Sequence, residues 1–239
     1  MRLDKLLEHQ QYGSRKTIKR LIQAQKVTVD GEIVNNSSRI VDSGLQDIRV
    51  EGRKLPSCGH TYLMLYKPKG VVSAVSDKEH QTVLDLLSDK DRKEGLYPIG
   101  RLDRDTEGLL LLTNNGPLGF RMLHPKHHVT KTYYVEVNGY LGEDAITFFE
   151  GGIIFHDGTQ CQAAKLELIE ASETFSSAYV TISEGKFHQV KKMFLAYGVK
   201  VIGLKRLRFG AFHLDDSLKA GEYRHFLDNE RQLVKQYLD

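Results

Sequence analysis

Apolar and polar positions divide the chain into a short helical and hairpin segment followed by a longer, strand-rich one. Ser14 stands where a helix cap belongs. Behind it Ile18, Leu21 and Ile22 recur at the i, i+3, i+4 spacing of a buried stripe, which predicts a helix to about Gln25. At about 100° per residue, Arg15, Lys16, Lys19 and Arg20 fall on the side away from that stripe, giving the helix one apolar and one basic face. Val27 to Val34 then alternates about Asp30-Gly31, the pair favoured in a two-residue type I′ turn, so a β-hairpin is expected to follow a helical hairpin. Asn35 to Asp47 is polar, Ile48-Arg49-Val50 reads as a returning strand, and Pro56 to Gly59 as a linker.

Beyond Thr61 the pattern changes. Tyr62-Leu63-Met64-Leu65-Tyr66 is strand-like and is stopped by Lys67-Pro68-Lys69-Gly70, after which Val71-Val72-Ser73 is expected to be extended again. Leu109 to Leu112 is a short apolar run between Gly108 and Thr113-Asn114-Asn115-Gly116, the mark of a fully buried strand. Tyr133 to Val137 and Ala178 to Ile182 alternate as further strands. No strand–helix–strand repeat is visible, which predicts an α+β fold with a mainly antiparallel mixed sheet. Neither a P-loop nor a G-x-G-x-x-G follows a strand, so no nucleotide cofactor is expected.

Charge sharpens this division. Of 239 residues, the first 58 hold 11 Lys+Arg against 7 Asp+Glu, and the rest 23 against 24. The net +3 therefore resides in the N-terminal segment. A second basic stretch, Lys186, Lys191, Lys192, Lys200, Lys205, Arg206 and Arg208, contains no acid. Two separated basic patches suit an extended polyanion, because each cation near a phosphate releases counterions. No run approaches the ~18 apolar residues of a membrane span and no signal-like stretch opens the chain, so a cytoplasmic protein without membrane contact is expected. Cys58 and Cys161 are too isolated to suggest a disulfide framework or a C-x-x-C zinc knuckle.

The densest chemistry lies in Gly100-Arg101-Leu102-Asp103-Arg104-Asp105-Thr106-Glu107-Gly108. Asp103, Asp105, Glu107 and Gly108 match positions 1, 3, 5 and 6 of an EF-hand loop. Asn114 occupies position 12 in place of the bidentate Glu, and two arginines intrude, so calcium binding is rejected. Spacing alone favours a structural reading in which the carboxylates pair with Arg101 and Arg104. His124-Pro125-Lys126-His127-His128 lacks a suitably spaced fourth ligand, and no metal is expected there or elsewhere. Phe187, Val190, Phe194 and Tyr197 follow helical spacing and are read as core, with His188 and Lys191 one turn apart on the same helix.

Longer matches change this picture. Arg2-Leu3-Asp4-Lys5-Leu6-Leu7, Ser14-Arg15 and Val27-Thr28-Val29-Asp30-Gly31 together resemble the S4 RNA-binding domain over about the first 55 residues. Tyr97 to Gly116, running through Gly100-Arg101-Leu102-Asp103, resembles the signature of the S4-containing pseudouridine synthases. Lys67-Pro68-Lys69-Gly70, Lys131-Thr132-Tyr133 and Glu184 to Met193 resemble the motifs that flank it in that family, continued by Leu204 and Arg206.

The resemblance implies an S4 module over 1–57 and a catalytic domain over 60–239. It implies an RNA pseudouridine synthase that isomerises uridine without a cofactor. Asp103 matches the family's catalytic aspartate, Tyr133 the tyrosine against the target base, and Lys191 the basic residue that pairs with the aspartate. Arg101 matches an arginine associated with displacing the target nucleotide, and Leu204 an apolar wall of the base pocket. Lys191 stands where other branches of the superfamily place arginine, and an ammonium lacks the bidentate fork of a guanidinium. Arg2, Lys5, Arg15, Lys16, Lys19, Arg20, Lys186, Lys192 and Arg206 are the expected RNA contacts, with Lys205 a further candidate. The expected partner is structured ribosomal RNA or a pre-ribosomal particle, bound by a monomer. Chain length and the position of the S4 segment resemble the small-subunit (16S) rRNA enzyme. The rivals are a large-subunit (23S) synthase and a non-catalytic S4-type assembly factor.

Overall fold

The computed structural model describes residues 1–57, 59–155 and 157–238; Cys58, in the expected linker, lies outside the described residues. Along the chain run α1 (Leu3–His9), α2 (Arg15–Gln23), β1 (Val27–Val29), β2 (Glu32–Ile33), β3 (Ile48–Val50), β4 (Arg53–Lys54), β5 (Tyr62–Lys67), β6 (Tyr97–Pro98) and β7 (Glu107–Thr113). There follow α3 (Gly116–Leu123), β8 (Lys131–Val137), α4 (Asp144–Glu150), β9 (Lys165–Ala171), β10 (Ser176–Ile182) and α5 (Gln189–Tyr197). The remaining elements are β11 (Val201–Phe209), β12 (Phe212–His213), β13 (Tyr223–His225) and α6 (Asp228–Lys235). The mixed α+β class is as the sequence pattern indicates.

The chain forms two compact units. The first comprises Met1–Tyr62, Thr113–Arg121 and His225–Asp239, so it draws on two segments far along the sequence. In it the Ser14 hydroxyl accepts from the Thr17 amide and caps α2, which ends two residues earlier than the periodicity predicts because Gln25 turns into the left-handed region (φ 59°). Leu3, Leu6 and Leu7 of α1 pack with Ile18 and Ile22 of α2 and with Val27, Val29, Ile48 and Val50 of the sheet β2-β1-β3-β4. Asp30 (φ 51°) and Gly31 (φ 86°) both adopt positive φ, as a type I′ turn requires, and Val29 pairs with Glu32 across it.

The second unit comprises Leu63–Leu112 and Met122–Arg224. Its sheet has the order β13-β5-β7-β11-β8-β10-β9, with β12 on β11 and β6 on β7. β11–β8, β8–β10 and β10–β9 are antiparallel, whereas β7 and β11 run parallel. Leu109 to Leu112 lie fully buried in β7, and β8 alternates as predicted, with Lys131, Tyr133, Val135 and Val137 on the buried face. Val71-Val72-Ser73 differs from expectation: among the described residues it makes an isolated parallel bridge, Val72 to Thr82, with Val72 bonding through its backbone to Gln81 and Val83, too short a pairing for a strand.

One contact joins the strands that matter most. Gly108 (φ 108°) lies opposite Arg206 in the parallel pair, and a Cβ there would stand 2.6 Å from the Arg206 backbone nitrogen and closer still to its carbonyl oxygen. Only glycine permits both this backbone conformation and this approach. Gly108→Ala is expected to destabilise the protein by about 2 kcal/mol or more, through positive φ together with backbone crowding. Urea unfolding checks it, and an unchanged midpoint would contradict the close approach.

Candidate active site

The loop between β6 and β7 is held through its backbone by groups from the β5 end and the turn after it. Lys67, at the end of β5, is fully buried, and its Nζ donates to the carbonyls of Pro68 (2.9 Å), Thr106 (2.8 Å) and Arg104 (3.5 Å). The Gly70 amide donates to the same Arg104 carbonyl at 2.7 Å. Ser73 Oγ donates to the Leu102 carbonyl (2.8 Å) and accepts from the Leu102 amide (3.0 Å). The carbonyls of residues 102, 104 and 106 are therefore all tied down. Burial pulls the Lys67 pKa down to about 8, opposed by the charges of Asp105, Asp103 and Glu107.

From this anchored loop two carboxylates reach one ammonium. Lys191 Nζ, from the first turn of α5, lies 3.1 Å from Asp103 Oδ2 and 2.6 Å from Asp105 Oδ1. Burial opposes the charge on Lys191, but hydrogen bonds to Asp105 and Asp103 outweigh it and raise its pKa. His188 Nε2 stands 3.6 Å from the other Asp103 oxygen. Helical spacing places His188 on the helix, but the structure leaves it just outside. It caps α5 in the left-handed conformation (φ 54°).

These groups open onto a cleft of about 430 Å³. Tyr133 from β8 and Leu204 from β11, each 7% exposed, line it together with Asp103, Lys191 and Arg101. All five residues that the motifs single out for the pocket thus meet in one place. β8 and β11 are antiparallel neighbours in which Val135 faces Leu204 and Tyr133 faces Arg206, and this register brings the Tyr133 and Leu204 side chains to the same wall.

Two expectations are corrected. Arg206 is no phosphate contact at the surface: it is 2% exposed, with Nε donating to the Leu109 carbonyl (2.8 Å) and its guanidinium 4.8 Å from the Phe209 ring centre. The parity of β11 turns it inward beside Leu204. Phe187 is not core: it precedes α5, is 68% exposed, lines the cleft and stacks on the His188 ring at 3.8 Å. Val190 and Phe194 are buried as expected.

The remaining basic residues fall into two groups. Arg15, Lys16, Lys19 and Arg20 are exposed and, among the described residues, make no ion pair. Arg2 pairs with Asp4, Lys5 with Glu8, Lys186 with Glu184 and Lys192 with Asp157, while Lys205 lies 4.6 Å from the Tyr66 ring centre. Sequence reasoning missed Lys67, Asp105 and Lys131 as parts of the site. The signal for Asp105 was its place two residues after Asp103 in the same loop. That for Lys67 was a lysine closing an otherwise apolar strand.

Residues 61–196 match the family model described as RNA pseudouridylate synthase, and residues 1–47 match that of the S4 domain. An RNA pseudouridine synthase of Bacillus subtilis is 42% identical over 99% of both chains. The ribosomal small subunit pseudouridine synthase A of Escherichia coli is 40% identical over 96% of this chain and 98% of its own. A crystal structure of a pseudouridylate synthase superposes with a TM-score of 0.68 at 34% identity, covering 98% of this chain and 99% of the other. The chain belongs to the RNA pseudouridylate synthase family, with an S4 domain at its N-terminus, and is an enzyme of that class.

Proposed function

We propose that this enzyme isomerises a uridine of small-subunit (16S) ribosomal RNA, with Asp103 as the catalytic residue. The observation that carries the site assignment is Asp103 held on a tied-down loop between Lys191 and His188, at a cleft walled by Tyr133 and Leu204. The substrate assignment rests on relatives about 40% identical over nearly the whole chain that are named ribosomal small subunit pseudouridine synthase A. In this reading residues 1–57 dock on RNA through the exposed basic face of α2, and residues 60–239 perform the chemistry. The enzyme acts as a cytoplasmic monomer on rRNA or a pre-ribosomal particle. No helix among the described residues is long and apolar enough to cross a membrane.

The chemistry follows from the reaction. The target uridine leaves its stack at a cost of a few kcal/mol, and Arg101, exposed at the cleft two residues before Asp103, fills the vacancy. The base enters between Tyr133 and Leu204, where water is excluded and hydrolysis to an abasic site is suppressed. An ionised Asp103 then serves either by adding to C1′ or by taking a sugar proton, and the detached uracil turns on the Tyr133 face to bond through C5. Lys191 holds the carboxylate in place, and Asp105 holds Lys191.

Asp103→Asn is expected to abolish pseudouridine formation while leaving RNA affinity within about twofold, in a tritium-release assay on unmodified 16S rRNA. Persistent product would remove Asp103 from its role. Asp105→Asn is expected to lower kcat about tenfold with KM little changed, because it loosens Lys191 without touching the base. Equal losses with Asp103→Asn would show that Asp105 itself acts on the substrate. Mapping pseudouridine in rRNA from cells lacking the protein tests the substrate. A single lost 16S site is expected, a lost 23S site would transfer the assignment to the large subunit, and an unchanged map would favour a binding-only assembly factor.

A further inference from the structure

Two cations line the same cleft without an anionic partner. Lys131 is 8% exposed, its Nζ donating to the Val129 carbonyl at 2.9 Å and standing 5.3 Å from the Phe209 ring centre. Arg206 shares that ring, and one terminal guanidinium nitrogen, buried, has no hydrogen-bond partner. Neither cation makes an ion pair with a carboxylate among the described residues. The charged groups that act on Lys131 are Arg206 from β11 and Glu184 from the turn after β10. Glu184 is itself occupied by Lys186, Gln189 and the Gln162 amide. Burying two like charges together is costly, and a buried donor left unpaired in a native fold calls for a functional account.

Their position supplies one. Lys131 lies two residues before Tyr133 on the buried face of β8, and Arg206 two residues after Leu204 on β11, so the cations continue the wall formed by the two residues assigned to the base. Whichever way Asp103 acts, the C1′–N1 bond breaks with its electron pair leaving on uracil. The negative charge spreads over N1, C5, O2 and O4 until C5 bonds to C1′, with Asp103 displaced from C1′ on one route or handing the sugar proton back on the other; the C5 proton is then lost to water and N1 takes one up from water. We propose that Lys131 and Arg206 form a cationic floor that offsets this charge, so that uracil leaves and is retained as its anion. Cations fixed in a water-poor cleft act strongly on charge that develops only during reaction. The proposal rests on the assignment of this cleft to the target base.

The experiment compares single-turnover rates on small-subunit rRNA transcribed with uridine or with 5-fluorouridine, reading loss of the original nucleoside at the target site. Fluorine withdraws electrons and stabilises the departing anion by itself. Lys131→Met is expected to slow reaction of uridine about 100-fold and that of 5-fluorouridine about tenfold, with RNA affinity unchanged. Equal slowing of both, or weakened binding at an unchanged rate, would overturn the proposal; the latter would make the pair a phosphate contact. Lys131→Arg, which keeps the charge, supplies the control should the methionine variant fold poorly. Burial and Arg206 pull the Lys131 pKa down to about 8, so the wild-type rate should fall as pH rises through 8. Lys67, whose pKa burial also pulls down to about 8, titrates in both proteins, so the arginine variant should lose less of its rate than wild type between pH 7 and about 9, and a profile identical to wild type would remove Lys131 from the reaction. If wild type leaves small-subunit RNA unmodified, the substrate assignment fails alone, and the same paired rates are read on 23S transcripts. Inactivity on both overturns the two readings together.

Discussion

The site depends on one buried ammonium. Lys67 carries its charge beneath the loop that bears Asp103, and the loop's backbone answers with carbonyl oxygens from Arg104 and Thr106 as well as the lysine's own neighbour Pro68. A carbonyl is a partial negative charge that cannot titrate away, so this anchor holds without consuming a carboxylate. Asp103 and Asp105 remain available for Lys191. Had an acid been recruited to neutralise Lys67, the loop would have lost one of the two carboxylates that hold Lys191. The cost of burying the lysine appears in its depressed pKa and is offset by charge-assisted hydrogen bonds.

A second constraint is the parallel contact of β7 with β11. The loop bearing Asp103 enters β7, and Leu204 and Arg206 lie on β11, so the approach that Gly108 allows fixes the distance between the anchored loop and the far wall of the cleft. β8 then adds Tyr133 and Lys131 from the other side of β11 by antiparallel pairing. Segments separated by some hundred residues thus converge through two strand registers, and sheet geometry, not loop flexibility, sets the width of the pocket.

Much of this was legible in the sequence. The Asp30-Gly31 turn, the Ser14 cap, the buried leucines of β7 and the alternation of β8 each rest on local rules that the tertiary structure does not override. The five residues that the family resemblance singles out for the pocket line one cleft. What was not legible depends on long-range placement. The run Lys205-Arg206-Leu207-Arg208 reads as a basic surface, yet strand parity and the Phe209 ring take Arg206 inside. The helical spacing from Phe187 to Tyr197 is genuine only from Gln189 on, because the left-handed turn at His188 swings Phe187 out to the rim. Lys67 looked like a strand terminator, and its role appears only once the loop from 101 to 106 lies over it.

The sharing of Lys191 between two carboxylates has a consequence for charge balance through the reaction cycle. In the proposed role of Asp103, on the route in which it bonds to C1′, its carboxylate becomes a neutral ester and ceases to be a counter-ion. An ammonium paired to it alone would be stranded in a partly buried site at that moment. With Asp105 2.6 Å away, Lys191 keeps a permanent anion throughout, so the cleft need not draw in a solvent ion or water to remain neutral while the sugar is activated. A lysine suits this duty: its compact charge serves two oxygens from different side chains, where the planar fork of arginine would favour one carboxylate over the other.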